Sequence, residues 1–366
     1  MFTTIFLLLV ISTSAMLSMR RVAIKFDFVD KPTSRKLHEG DIPLVGGISL
    51  FFSISFLLLW QPTLLPGAMD YLACTAVLVT VGAIDDKIEL GAKFRLGVLI
   101  ALSVWLTVSH KSNLAHLGDL FGFGSIELAL GKELFTVLAV IACITAFNMS
   151  DGLDGLLGGL SAVTLLSLGY FFYHAGQLQL SYFCLFFVVA MTPYVLFNLD
   201  LIPNRALKIF MGDSGSYLIG FTVIWLLVEA SQYLSPLTHQ LSLRPVTALW
   251  ITAVPVMDMV MVMMRRIGKK QSPLKADRLH LHHIFQRVGL SSHQTLLIIV
   301  TFAAACAGFG ILGELYFISE PVMLYLFVSL FACYFWAMKK IWKLTAWFRK
   351  WQTDSGLTES SENISS

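Results

Sequence analysis

The residues best suited to chemistry in this 366-residue chain are aspartates that stand in pairs or beside glycine. They are Asp85-Asp86, Asp151 and Asp154 within FNMSDGLDGL (147–156), and Asp213 within GDSGS (212–216). Adjacent carboxylates repel, and taking them partly out of water is costly unless a cation or hydrogen-bond donors compensate. Mg²⁺ answers that requirement, because it takes octahedral oxygen coordination and is commonly held by one or two carboxylates with phosphates and water. Asp85, Asp86, Asn148, Asp151, Asp154 and Asp213 are the candidates for such a site. They are too many for one ion, so some must orient neighbours or contact substrate. Simpler roles compete: a charged stop for Asp85-Asp86-Lys87, a helix cap for Asp151, a capped helix start for 212–216. Those roles leave the second acid of the pair, Asp154 and Asn148 without a purpose.

A second constellation is basic. The segment DRLHLHH (277–283) places Arg278 beside His280, His282 and His283. Zinc is one reading, yet the adjacent histidines come without cysteines or an HExxH helix and match zinc spacings poorly. Imidazoles beside an arginine suit a phosphate better. Asp258 is the one acid well inside an apolar run; such residues face a bundle interior or a wet cavity. Whether it serves chemistry or pairs with Arg265 or Arg266 is open, and Pro255 nearby is expected to open the helix backbone. Cys74, Cys143, Cys184, Cys306 and Cys333 all fall in apolar runs without CxxC spacing and read as buried free thiols.

The elements that position these residues are membrane helices. The chain is 56% hydrophobic and 13% charged, with mean hydropathy +0.74, far outside the composition of soluble domains. A bilayer core needs about 20 mainly apolar residues per helix. Eleven runs qualify as spans: 1–18, 47–60, 68–84, 94–109, 132–148, 156–174, 179–197, 214–231, 246–264, 294–312 and 321–338. The second is the weakest, being short before Trp60 and Pro62. The first has no basic residue before its apolar core and an Arg20-Arg21 pair after it, which favours a retained helix over a signal peptide. By the positive-inside rule the N-terminus then faces out and the C-terminus in. Threading the spans from there puts 23 of 26 Lys and Arg inside, leaving Lys111, Lys132 and Arg244 outside. The expected organisation is an all-α membrane domain over 1–340 and a cytoplasmic tail over 341–366, disordered in its Ser-rich distal part.

On this topology every polar cluster lies on the cytoplasmic face: Asp85-Asp86-Lys87, FNMSDGLDGL, Asn198-Leu199-Asp200, 212–216 and the histidine loop. A transporter, the rival class, would hold ionisable groups near the bilayer midplane. The distribution instead suits a water-soluble anion met at one interface, with a lipid arriving from the side. Two motifs open helices whose N-terminal N–H groups point to the cytoplasm, an arrangement that favours phosphate.

Together, Asp85-Asp86, FNMSDGLDG, FMGDSGS (210–216) and HLHH (280–283) resemble the motifs of the polyprenyl-phosphate N-acetylhexosamine-1-phosphate transferases, as does the first cytoplasmic loop KPTSRKLHEGDIPLVGG (31–47). The likeness runs from residue 1 to about 340. Leu281 interrupts a histidine run that is more continuous in the muramyl-pentapeptide branch, which favours a UDP-GlcNAc-like donor. The resemblance implies transfer of GlcNAc-1-phosphate from UDP-GlcNAc to undecaprenyl phosphate with release of UMP. That step would initiate a lipid-linked surface glycan of the O-antigen or enterobacterial common antigen type; another UDP-HexNAc donor is the alternative. It implies Mg²⁺, with Mn²⁺ as a substitute, held by Asp213 with Asn148 or Asp151. Catalytic roles would fall to Asp85, Asp86, Asp151 and Asp154, and substrate contacts to Lys87, Arg278, His280, His282 and His283. The setting implied is the bacterial inner membrane, with membrane lipids as partners, no nucleic acid, and a homo-oligomer left open.

Overall fold

The computed structural model describes residues 1–32, 40–109, 113–201, 207–233, 243–272 and 280–354, without side chains for residue 109 and residues 341–354. It is a bundle of helices: α1 (Phe2–Lys25), α2 (Gly46–Trp60), α3 (Ala68–Ile88), α4 (Ala92–Ser109), α5 (Lys132–Ser150), α6 (Leu156–His174), α7 (Leu178–Asn198), α8 (Gly212–Gln232), α9 (Pro245–Ile251), α10 (Ala253–Gly268), α11 (Leu281–Val288), α12 (Ser292–Leu315) and α13 (Glu320–Asp354). In hydrocarbon every backbone N–H and C=O must be satisfied within its own segment, which apolar runs of this length achieve only as helices. Among the described residues eight helices are long and apolar enough to cross a membrane, and the bent pair α9–α10 makes a ninth. The remaining two expected spans are also helical: α2 is apolar but 15 residues long, and α4 has 18. The chain is thus a multi-pass membrane protein.

Several details differ from expectation. The ninth run is not one rod: α9 and α10 meet at 81° about Thr252. Pro255 has no N–H to give the carbonyl of Ile251 four residues back. That carbonyl takes the hydroxyl of Thr164 from α6 instead, at 3.2 Å. The last helix continues well past 338, across the boundary expected at 340, as far as Asp354. Residues 355–366, most of the tail expected to be disordered, lie outside the described residues. All five cysteines are free, but Cys333 is exposed on α13 rather than buried.

The centre of the bundle is α8, buried along its whole apolar length and flanked by α2, α3 and α5. A helix that is apolar all round can sit only there. Its neighbours approach closely through glycine: a Cβ on Gly82 of α3 would collide with the Ser214 backbone, and one on Gly47 of α2 with Gly215. The chain before α2 runs beside the chain before α8. Phe210 N–H donates to the Pro43 carbonyl at 2.9 Å, and Gly46 and Gly47 N–H donate to Phe210 and Met211 at 2.9 Å each. A two-residue antiparallel pair, Val29–Asp30 with Ile42–Pro43, frames the same loop. These contacts bring the ends of α3, α5 and α8 to one place.

Candidate active site

Five of the six candidate metal and catalytic residues gather around the first turn of α8. Asp86 lies against that turn and accepts the N–H groups of Asp213 at 2.8 Å and Ser214 at 3.4 Å. Gly212, at φ +73°, leaves room for the Asp86 carboxylate where a Cβ would collide with it. The N-terminus of α8 is therefore occupied by the protein's own carboxylate and is not the open phosphate cradle the sequence suggested. The N-terminus of α6 is closed likewise: Asn198 Oδ1 accepts from Gly155 N–H at 2.6 Å while its Nδ2 donates to Ile209 O at 3.0 Å.

Asp85 points the other way and is fully engaged. Its Oδ2 accepts from Arg95 Nη1 at 2.9 Å and from Tyr217 hydroxyl at 3.2 Å, and its Oδ1 from Leu90 N–H at 2.7 Å. The same Arg95 nitrogen stands 3.8 Å from Asp213 Oδ2. Asp213 Oδ1 accepts from Asn148 Nδ2 at 2.8 Å, and that nitrogen also donates to Ser216 Oγ at 2.9 Å. The Asn148 orientation follows from its partners: a carboxylate only accepts, and the Ser216 hydroxyl already donates to the Asp213 carbonyl at 3.2 Å. Only Oδ1 of Asn148 remains for a ligand.

Asp151 ends α5, where its N–H bonds back to the Asn148 carbonyl at 3.2 Å. Among the described residues its carboxylate has no hydrogen bond or ion pair. Burial, then the charges of Asp213 and Asp154, push it up to about 7. Asp154 is paired with Lys208, half-buried ahead of α8. Lys87 does not join the acids; it is exposed on another face of α3 and lines an apolar groove of about 420 Å³ with Phe51 and Phe52 of α2.

The histidines come in on α11 and its N-cap. The His280 and His282 rings are nearly parallel with centroids 5.8 Å apart, and His283 lies 4.1 Å from His282. His282 is 2% exposed and packs its Nε2 edge onto Gly152, the residue after Asp151. Among the described residues that buried Nε2 has no hydrogen-bond partner. Burial and the neighbouring histidines lower its pKa to about 3. His282 is thus neutral, and meets an anion only as an N–H donor. Arg278 lies outside the described residues.

The site also holds residues that the sequence reading did not select. Arg95 stands just inside the apolar run 94–109, and an arginine at such a place is a usable signal. Lys208 shares the connection 198–213 with Arg205 and stands in no motif that marks it, and Tyr217 is one of many aromatics in apolar runs. Among the described residues no three His, Cys, Asp or Glu side chains converge as a self-sufficient metal cage. Two acids held close and short of cations, Asp151 and Asp213, nevertheless fit Mg²⁺, which draws its other ligands from phosphate and water.

Comparison with known proteins places this geometry. The glycosyl transferase family 4 model matches residues 68–231, from α3 to the end of α8. The chain is 44% identical over 351 residues to the undecaprenyl-phosphate alpha-N-acetylglucosaminyl 1-phosphate transferase of Salmonella typhi, covering 96% of this chain and 92% of the relative. It is 43% identical to the protein of that name in Escherichia coli K12, with the same coverage, and 39% identical to that of Haemophilus influenzae over 91% of this chain and 92% of the relative. With the acids on the helices the model matches and the likeness running nearly end to end, the chain belongs to glycosyl transferase family 4.

Proposed function

We propose that this protein transfers GlcNAc-1-phosphate from UDP-GlcNAc to undecaprenyl phosphate, giving undecaprenyl-diphosphate-GlcNAc and UMP, at the cytoplasmic face of a bacterial inner membrane. The near end-to-end match to transferases of that name supports the reaction. The observation that carries the site is, among the described residues, an excess of carboxylate over cation around α8, beside a buried imidazole nitrogen with no partner. The excess of Lys and Arg on one side supports eleven crossings with the N-terminus outside.

One phosphoanhydride is broken and one formed, so the work of the site is to position two anions and neutralise them. The acceptor is a phosphate monoester with a second pKa near ~6, already largely dianionic at neutral pH. It attacks the donor's β-phosphorus directly, and UMP leaves. Asp85 and Asp86 are poor candidates for a covalent nucleophile, since one is enclosed by Arg95, Tyr217 and Leu90 N–H and the other closes the end of α8. Both act as braces: Asp85 aims Arg95 at the reacting phosphates, and Asp86 fixes the turn that carries Asp213. Lys208 restrains Asp154. Asp151 and Asp213 would hold Mg²⁺ or Mn²⁺, with Asn148 orienting Asp213, and the ion would neutralise charge on the phosphoryl group in flight. His282, through Nε2, and Arg278 would meet the sugar nucleotide.

The experiment is purified protein with Mg²⁺, undecaprenyl phosphate and a panel of UDP-sugars, scored by UMP release. UDP-GlcNAc alone should support turnover. Release with a different UDP-HexNAc and not with UDP-GlcNAc would overturn the donor assignment. Label retained on protein given radiolabelled donor without acceptor would overturn direct attack.

A further inference from the structure

Asp258 lies outside the acid cluster, 5% exposed within α10, and the mechanism above leaves it without a task. Its carboxylate gathers three donors from separate elements. Oδ1 accepts Leu281 N–H, the first residue of α11, at 3.0 Å and the Tyr334 hydroxyl of α13 at 2.9 Å. Oδ2 faces His280 Nδ1 at 2.8 Å. A carboxylate only accepts, so His280 carries its proton on Nδ1 and keeps a lone pair on Nε2. The same grip sets where α11 begins, and with it the placement of His282 against Gly152 beside Asp151.

We propose that Asp258 is a positioning residue for transfer: it fixes His280 as the Nδ1–H tautomer and holds the start of α11 so that the histidine group meets the sugar nucleotide in register with the acid cluster. The inference rests on the function proposed above. A carboxylate buried in a span is costly without compensation, and among the described residues the hydrogen bonds that compensate it come from groups leading to the histidines and from one tyrosine. His280 Nε2 then accepts a hydrogen bond from a hydroxyl of the sugar nucleotide.

Asp258→Asn separates this role from bracing. Leu281 N–H cannot accept, so the new amide must keep its oxygen toward Leu281 and Tyr334 and turn its nitrogen to His280. Nδ1 then becomes the acceptor and the proton moves to Nε2. Size and the α11 anchor are retained. The expected result is a variant that melts like wild type in detergent while kcat/KM for UDP-GlcNAc falls by about 10²-fold or more, since a wrong tautomer in an intact geometry is costly. Tyr334→Phe removes one bond to Oδ1 but leaves the tautomer, and should lose less than about 5-fold. Because Asp258 acts through His280, the double variant Asp258→Asn/His280→Ala should be no worse than His280→Ala alone. Wild-type kcat/KM for Asp258→Asn, or additive losses in the double variant, overturns the inference while wild-type transfer stands. Absence of UMP release from the wild-type protein overturns the reading beneath it.

Discussion

The two ends of this bundle both carry buried charge, and they handle it differently. At the end opposite the acid cluster, Arg244 Nε pairs with Glu314 Oε2 at 2.7 Å and its Nη atoms donate to the carbonyls of Ile318 and Gly313. Glu314 Oε1 accepts from Arg244 N–H and Thr247 hydroxyl. That network ties α9, α12 and the turn into α13 and gives Arg244 and Glu314 several partners each, with Glu320 Oε2 nearby a buried oxygen that lacks a hydrogen bond among the described residues. Around the first turn of α8, Asp151 has no described donor, Asp213 shares Arg95 with Asp85 at 3.8 Å, and His282 Nε2 has no described partner. A network with its charges paired stabilises a fold. An unfinished one leaves carboxylates and an imidazole whose charge and hydrogen-bonding capacity a cation and an anion would satisfy.

The largest effect that would test this contrast is at Asp213. Asp213→Asn should lower kcat by about 10³-fold with the melting temperature close to wild type, measured by UMP release and by thermal unfolding in detergent. Full activity at low Mg²⁺ would remove Asp213 from the site. Arg244→Ala should do the reverse. Breaking a mostly buried pair leaves Glu314 uncompensated and should cost about 2 kcal/mol, less than for a fully enclosed pair, while turnover per folded molecule stays unchanged.

A smaller effect concerns pH. Asp151 is raised to about 7 from an unfolded value near ~3.9. A raised folded pKa means that the contribution to stability is full below the unfolded value and is lost as pH rises through the folded one. In EDTA the melting temperature should therefore fall between pH ~4 and ~7, and Mg²⁺ should recover it at the upper end. Asp151→Asn should flatten the slope; an unchanged slope would place the titration elsewhere. His282→Ala should raise the donor KM by about 10-fold with a lesser change in kcat. Smallest of all, Lys87→Ala should alter kcat by less than about 2-fold, because Lys87 faces the α2–α3 groove and not the acids.

The sequence by itself determined the class of molecule and the helices, and it gathered the polar motifs at the ends of apolar runs. Each of these depends on local composition: a bilayer demands contiguous apolar runs, and lysines and arginines near span ends record orientation. It also raised Asn148, Asp151, Asp213 and the histidines as candidates, because acids and glycines at such ends are hard to explain otherwise. Tertiary structure alone decided who pairs with whom. Asp85 and Asp86 are neighbours in sequence yet turn to different partners, one to Arg95 and the other to the α8 N–H groups, because successive helical residues point about 100° apart. Lys208 reaches Asp154 across 54 residues, and Asp258 takes His280 rather than the arginines two turns on. Those choices follow from how α8 is gripped by α2, α3 and α5 and from where α10 breaks, and helix packing of that kind leaves no periodic trace in a chain that is apolar almost everywhere.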